Sequence, residues 1–218
     1  MAGVESYMEI GLDDFLPGDL VKSYIRYPFH TLVYTIGLKK AINISAKNEV
    51  YGELLFEWTN MEVSQDYQFQ WPSSFYFHGS LHHGYTNRGQ LLGTGSGWGG
   101  NSQYLAFKLY YPRGTSTLFI HRNNPDNDFI YGQAVSTGTD YDSELDDKYL
   151  TGFKSNFIIG ANTYYFLLEH LSIGGGAAYN LIINPHYFYA DVRKRTLKFW
   201  TDKYLHNFSF NVMVQYRY

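Results

Sequence analysis

The sequence predicts an all-β chain, an antiparallel transmembrane β-barrel of about eight strands with long extracellular loops. Three observations lead there. Apolar and polar residues alternate strictly over segments of ten residues and more, which describes strands with one apolar and one polar face. Short and long connections alternate along the chain. Aromatic residues make up 19% of the sequence while charged residues make up only 17%, more ring surface per charge than a soluble globule carries.

The candidate strands follow in order. The first, near 4–11, has the weakest pattern, and the second lies near 30–41. In the third, Val50, Gly52, Leu54, Phe56 and Trp58 alternate with Tyr51, Glu53, Leu55, Glu57 and Thr59. In the fourth, Leu105, Phe107, Leu109 and Tyr111 alternate with Tyr104, Ala106, Lys108 and Tyr110. Two more lie near 114–123 and 152–165, and a seventh alternates from Leu171 to Ile182. The last is the clearest: Phe208, Phe210, Val212, Val214, Tyr216 and Tyr218 share one parity, and Asn207, Ser209, Asn211, Met213, Gln215 and Arg217 the other. A soluble strand usually runs about five or six residues. A tilted membrane strand needs about 9–11, with aromatics at the interface.

Short links fall near 42–47, at Pro112-Arg113-Gly114 and at Phe166-Leu167; long polar links fall near 12–29, 60–101, 124–150 and 183–203. In a membrane barrel the short turns are periplasmic and the long loops extracellular, so an even strand count puts both termini on the periplasmic side. Lipid tolerates strands only in a closed barrel, because each unpaired backbone amide costs several kcal/mol. A charge on the lipid face costs about 2–4 kcal/mol at mid-depth. Glu53, Glu57, Lys108 and Arg217 all carry the parity opposite to the apolar face, where pairing in the interior is their expected fate.

The remaining composition excludes several classes. The 218 residues fit one domain, 1–218. With no cysteine there is no disulfide framework and no CxxC motif. A net charge of −3 argues against a nucleic-acid binder working through a basic surface. No apolar run approaches the roughly 20 residues of a spanning helix. The start, Met1 to Tyr7, has neither a basic nor an apolar signal region, so export requires a signal already removed or a longer parent chain.

The long links carry the functional candidates. Trp71, Trp98 and Trp200 lie in them, and Trp58 stands near a strand end, where a membrane girdle uses it. Loop Trp beside Asn, Asp and Arg suits a carbohydrate, whose apolar face meets rings while amides and charges meet hydroxyls; packing of the loops against one another uses the same rings. Gly95-Ser-Gly-Trp-Gly-Gly100 matches GxGxxG formally but has no βαβ setting. His82-His83 lacks a third ligand fixed by spacing. In the acidic run from Asp140 to Asp147, Leu145 and Thr151 occupy the Gly and Glu positions of an EF-hand. Arg193-Lys194-Arg195 reads first as a soluble loop tip, with contact to lipid or sugar phosphates as the alternative. No GxSxG and no spaced Ser-His-acid set is present, so no catalytic residue, metal or cofactor is expected and the chain reads as a non-enzyme.

The stretch Gly84-Tyr-Thr-Asn-Arg-Gly-Gln-Leu-Leu-Gly93, then Ser102 to Pro112, Arg122-Asn-Asn-Pro-Asp-Asn-Asp128 and the ending His206 to Tyr218 resemble the capsule assembly protein Wzi family. Members are longer, so the resemblance implies the C-terminal part of a larger barrel, or a smaller barrel closing by itself. It also implies an outer-membrane lectin that holds capsular polysaccharide or exopolysaccharide at the cell surface among outer-membrane lipids, with other outer-membrane proteins or remaining strands as possible partners and no nucleic acid. The residues expected to bind polysaccharide are Tyr85, Asn87, Arg88, Trp98, Arg122, Asp126 and Asp128. Arg88 and Arg122 would meet acidic sugars through paired donors, and Tyr85 and Trp98 would stack. Two alternatives stand beside this reading: a pore for small solutes and, third, a barrel hydrolase acting on lipid or glycan.

Overall fold

All eight expected strands form, in the expected order. The computed structural model describes residues 3–12, 32–62, 76, 84–88, 90–125, 127, 154–185 and 204–217. The strands are β1 (Val4–Leu12), β2 (Leu32–Ser45), β3 (Val50–Asn60), β4 (Thr86–Asn87), β5 (Gln90–Leu91), β6 (Asn101–Tyr111), β7 (Gly114–Asn124), β8 (Ser155–Phe166), β9 (Leu171–Ile183) and β10 (Tyr204–Tyr216). One 8-stranded sheet runs β1-β2-β3-β6-β7-β8-β9-β10, and β4-β5 is a separate hairpin. Every pairing is antiparallel. The large sheet is therefore a meander in which each strand lies beside its neighbours in sequence.

Closure is where the structure departs from the expected ring. No ladder joins β1 to β10, so both are edges of an open sheet. The two differ in length, 9 residues against 13. Every residue of β10 is exposed, on both faces, which leaves bare the edge that closure would cover.

Short connections hold the other end together. A single 3-10 turn, Ala46–Asn48, with Glu49 at φ 52°, joins β2 to β3. Pro112-Arg113 joins β6 to β7, and residues 167–170 join β8 to β9. Strand β2 runs four residues past the expected limit near 41, because Ile42 and Ile44 continue its alternation through the expected short link. Its register shifts between Asn43 and Ser45, a bulge that absorbs the extra residue. Strand β6 starts at Asn101, whose partner Asn60 extends the ladder beyond the alternating core.

The register sorts the residues into two faces, since directly opposed residues project to the same side. One face carries Glu5, Tyr7 and Glu9 of β1, Thr35 and Lys39 of β2, Glu53, Glu57 and Thr59 of β3, Tyr104 and Lys108 of β6, and on to Asn207, Asn211 and Gln215 of β10. The other carries Met8, Ile36, Leu38, Leu54, Phe56, Leu105, Phe107, Leu118, Ile120, Phe157, Ile159 and Ile173, ending on Phe208, Phe210, Val212 and Val214. Glu53, Glu57 and Lys108 fall on the polar face as the alternation requires. Two cations share the apolar parity, Lys40 and Arg122; both lie in strands whose alternation was less regular than that of β3, β6, β9 and β10.

The sheet has almost no core. The buried apolar side chains among the described residues are Val33, Met61 and Ala106, while Phe210 is 77% and Val212 85% exposed. Among the described residues no second sheet or helix layer covers the apolar face. Aromatics mark both ends of that face. Near the short turns, Tyr111 and Tyr165 lie 6.4 Å apart and the Arg113 guanidinium sits 5.6 Å over the Tyr165 ring. Near the long links, Tyr34 meets Trp58 edge-on at 5.5 Å. Strands β2, β3 and β6 to β10 have 11 to 14 residues. At ~3.3 Å per residue and ~45° of tilt they rise about 26–33 Å, against a hydrocarbon core of ~30 Å.

Candidate functional site

The long-link end of the polar face forms a cleft. Three strands supply its floor. Tyr7 and Glu9 come from β1, Thr35 from β2, and Glu57 and Thr59 from β3; Tyr76 and the turn Gly93-Thr94-Gly95 form the opposite wall, around a volume of about 510 Å³. Strand alternation alone puts these side chains on one face, and the register sets Glu9 opposite Thr35 and Thr35 opposite Thr59.

Local contacts fix the floor. The Tyr7 hydroxyl donates to Glu57 Oε2 across the intervening strand. Gly37 makes this reach possible: a Cβ there would stand 1.9 Å from the Tyr7 ring. The Thr35 and Thr59 hydroxyls are 3.1 Å apart, and Thr59 is buried. At the short-turn side of the cleft, Lys39 Nζ lies 2.9 Å from Glu5 Oε1. Among the described residues the lining therefore offers two carboxylates, three threonines and three tyrosines, with no cation in the lining itself.

Tyr76 connects the cleft to the hairpin. Its hydroxyl accepts from the Thr94 backbone N–H at 3.1 Å, and its carbonyl accepts from the Tyr85 N–H at 2.8 Å. The Tyr76 and Tyr85 rings stack at 5.8 Å with planes 17° apart. Tyr85 precedes β4, Asn87 ends it, and Arg88 begins the turn to β5 at φ 50°. All three are exposed. The structure thus brings Tyr85, Asn87 and Arg88 together on one hairpin braced by the cleft wall.

Trp98 follows in the turn that leads into β6. Gly97 and Gly99 flank it at φ 77° and 72°, a left-handed backbone that glycine adopts without steric cost. Gly99 N–H donates to the Met61 carbonyl at 3.0 Å and Met61 N–H to the Gly100 carbonyl at 2.8 Å, so the Trp98 turn is tied to the top of β3. Arg122 stands apart from the cleft. It belongs to the apolar parity of β7, opposite Gln103, and its Nη1 donates to Asn101 Oδ1 at 2.6 Å and Gln103 Oε1 at 2.7 Å. Asp126 and Asp128 lie outside the described residues, as do His82-His83, the acidic run 140–147, Arg193-Lys194-Arg195, Trp71 and Trp200.

Tyr7, Glu9, Thr35, Glu57, Thr59 and Tyr76 are residues that sequence reasoning did not single out. The alternation signalled that Glu57 and Thr59 share a face; what it lacked was the register that aligns β1, β2 and β3. Among the described residues no group of three or more His, Asp or Glu side chains could hold a metal ion. Comparison with protein-family models, curated proteins and solved structures finds no match for this chain.

Proposed function

We propose that the chain forms the wall of an outer-membrane β-barrel that binds capsular polysaccharide or exopolysaccharide at the cell surface without chemically altering it. The observation that carries the membrane part is the largely apolar face that runs across eight strands, opposed by a polar face and bounded by aromatics at both ends. An exposed apolar surface of that extent is intolerable in water and required in lipid. Closure follows from the same physics: an open edge cannot persist in hydrocarbon, so β1 and β10 pair in the membrane with each other or with further strands.

The binding part rests on the long-link end. Tyr85, Asn87 and Arg88 extend from a hairpin braced by Tyr76, and Tyr76 walls a cleft of rings, hydroxyls and carboxylates. Rings cover the apolar faces of sugars while hydroxyl and carboxylate groups accept from sugar hydroxyls. Because the described lining carries Glu9 and Glu57, while Lys39 at its short-turn side is bonded to Glu5, it suits neutral or amino sugars; Arg88 on the hairpin serves acidic ones. Several weak contacts along one polymer add up through multivalency. The resemblance to the Wzi family agrees with this reading. Trp98→Ala and Arg88→Ala are expected to lower capsule retention on cells while barrel assembly in the outer membrane stays normal. Unchanged retention in both variants contradicts the proposal.

A solute pore is the second reading, favoured by the charged polar face with Glu5, Lys39, Glu53 and Lys108. Stable single-channel conductance in planar bilayers would support it over polysaccharide binding.

A further inference from the structure

The apolar face is not uniform, and its irregularity sits at Arg122. A groove of about 550 Å³ crosses that face, lined by Phe56, Leu105, Ile120, Phe157, Ile159 and Leu181, with Gln103 and Arg122 at its margin. We propose that this groove holds a phosphate-bearing anionic lipid, an acyl chain on its floor and the phosphate on Arg122. The inference rests on the membrane reading above and extends it from a generic lipid boundary to a specific lipid site.

Depth is the first argument. A cation facing lipid costs about 2–4 kcal/mol at mid-membrane and about 0–1 near the interface. Arg122 is two residues from the long-link end of β7, and beyond it on this face the strand ends on either side carry the polar Asn101, Asn124 and Ser155, with Ile183 following on β9. Ser155 Oγ donates to Asn124 Oδ1 at 2.5 Å. Inward of Arg122 the same face carries Ile120 and Leu118. The guanidinium thus lies at the level where hydrocarbon gives way to headgroups.

Geometry is the second. Among the described residues both bonds made by the guanidinium leave Nη1 and end on neutral amide oxygens of Asn101 and Gln103. They hold its plane while bringing no negative charge. Glu62 joins this network only indirectly, by accepting from Asn101 Nδ2 and from Asn127 Nδ2. Nη2 and Nε keep three N–H donors, and paired guanidinium donors match phosphate oxygens. Charge complementarity therefore selects an anion at the margin, and the apolar floor selects hydrocarbon beneath it. A glycan fits poorly, because the only hydroxyl on this face of the described floor, that of Tyr179, is already 2.7 Å from His206 Nδ1.

The test uses the full chain purified in a neutral detergent, exposed to phosphatidylglycerol or to phosphatidylcholine, washed, and assayed for retained lipid by mass spectrometry. Wild-type protein is expected to retain phosphatidylglycerol roughly tenfold better than R122Q, the loss of about one charge-assisted hydrogen bond. R122K is expected to fall between them. Phosphatidylcholine retention stays equal in all three, and excess inorganic phosphate leaves the lipid in place. Equal phosphatidylglycerol retention by wild type and R122Q overturns the proposal, and so does displacement by inorganic phosphate, which would mark a bare anion site. If the chain enters vesicles yet shows no such difference, only the lipid site falls. If it stays in the aqueous phase, the membrane reading falls as well.

Discussion

Single side chains decide two features of the cleft. Tyr7 crosses β2 to reach Glu57 only because Gly37 presents no Cβ beneath its ring. Gly37→Val is therefore expected to push Tyr7 off Glu57 and loosen β1, an overpacking cost of about 1–3 kcal/mol. Urea unfolding of the folded protein in micelles measures it, and a wild-type midpoint would contradict the assigned packing. Glu57 itself is a carboxylate acceptor at the centre of the lining. Glu57→Gln is expected to weaken glycan binding about tenfold, by a charged hydrogen bond of ~1.5 kcal/mol, with assembly intact; isothermal titration with purified capsule fragments checks this. These residues were only partly legible in the sequence. Glu57 could be assigned to a face by parity, but its partnership with Tyr7 spans 50 positions and depends on the β1–β2–β3 register. Tyr85, Asn87 and Arg88 were reached only through the Wzi resemblance, and the stacking of Tyr85 on Tyr76 left no signal in the sequence.

At the scale of a strand, alternation carried most of the fold. Strands β3, β6, β9 and β10 declare themselves because a half-apolar strand must repeat every second residue, and a one-residue slip would turn every side chain to the wrong face. Limits were less legible: Ile42 and Ile44 carry the alternation of β2 on to Ser45, with the register shift between Asn43 and Ser45, in a segment that also reads as a turn. The β4–β5 hairpin was hidden inside a long link, since two-residue strands leave no periodic signal. Parity itself can be tested within one strand. Val212→Arg is expected to cost about 2–4 kcal/mol of barrel stability in lipid, while Asn211→Arg, one position away, costs little. Equal costs for the two would remove the distinction between the faces.

Among its described residues the molecule inverts the usual arrangement, with many apolar residues exposed and almost no interior core. A lone sheet of this kind gains stability only where its apolar face is covered, and on the proposed membrane reading lipid would cover it along all eight strands at once. Its open edges demand pairing in that setting. Because the chain has no cysteine, introduced cysteines report without background. Paired substitutions along β1 and β10 are expected to form disulfides in the membrane if the eight strands close by themselves; cross-linking absent from every pair would assign the edges to other strands. The most direct measurement is a single-cysteine spin-label scan of β10 from Asn207 to Tyr216 in reconstituted vesicles. Labels at Phe208, Phe210, Val212 and Val214 are expected to relax with membrane-dissolved oxygen, and those at Asn207, Ser209, Asn211 and Met213 with a water-soluble nickel complex. Accessibility without a two-residue period, or with all positions open to water, would contradict a lipid-facing sheet.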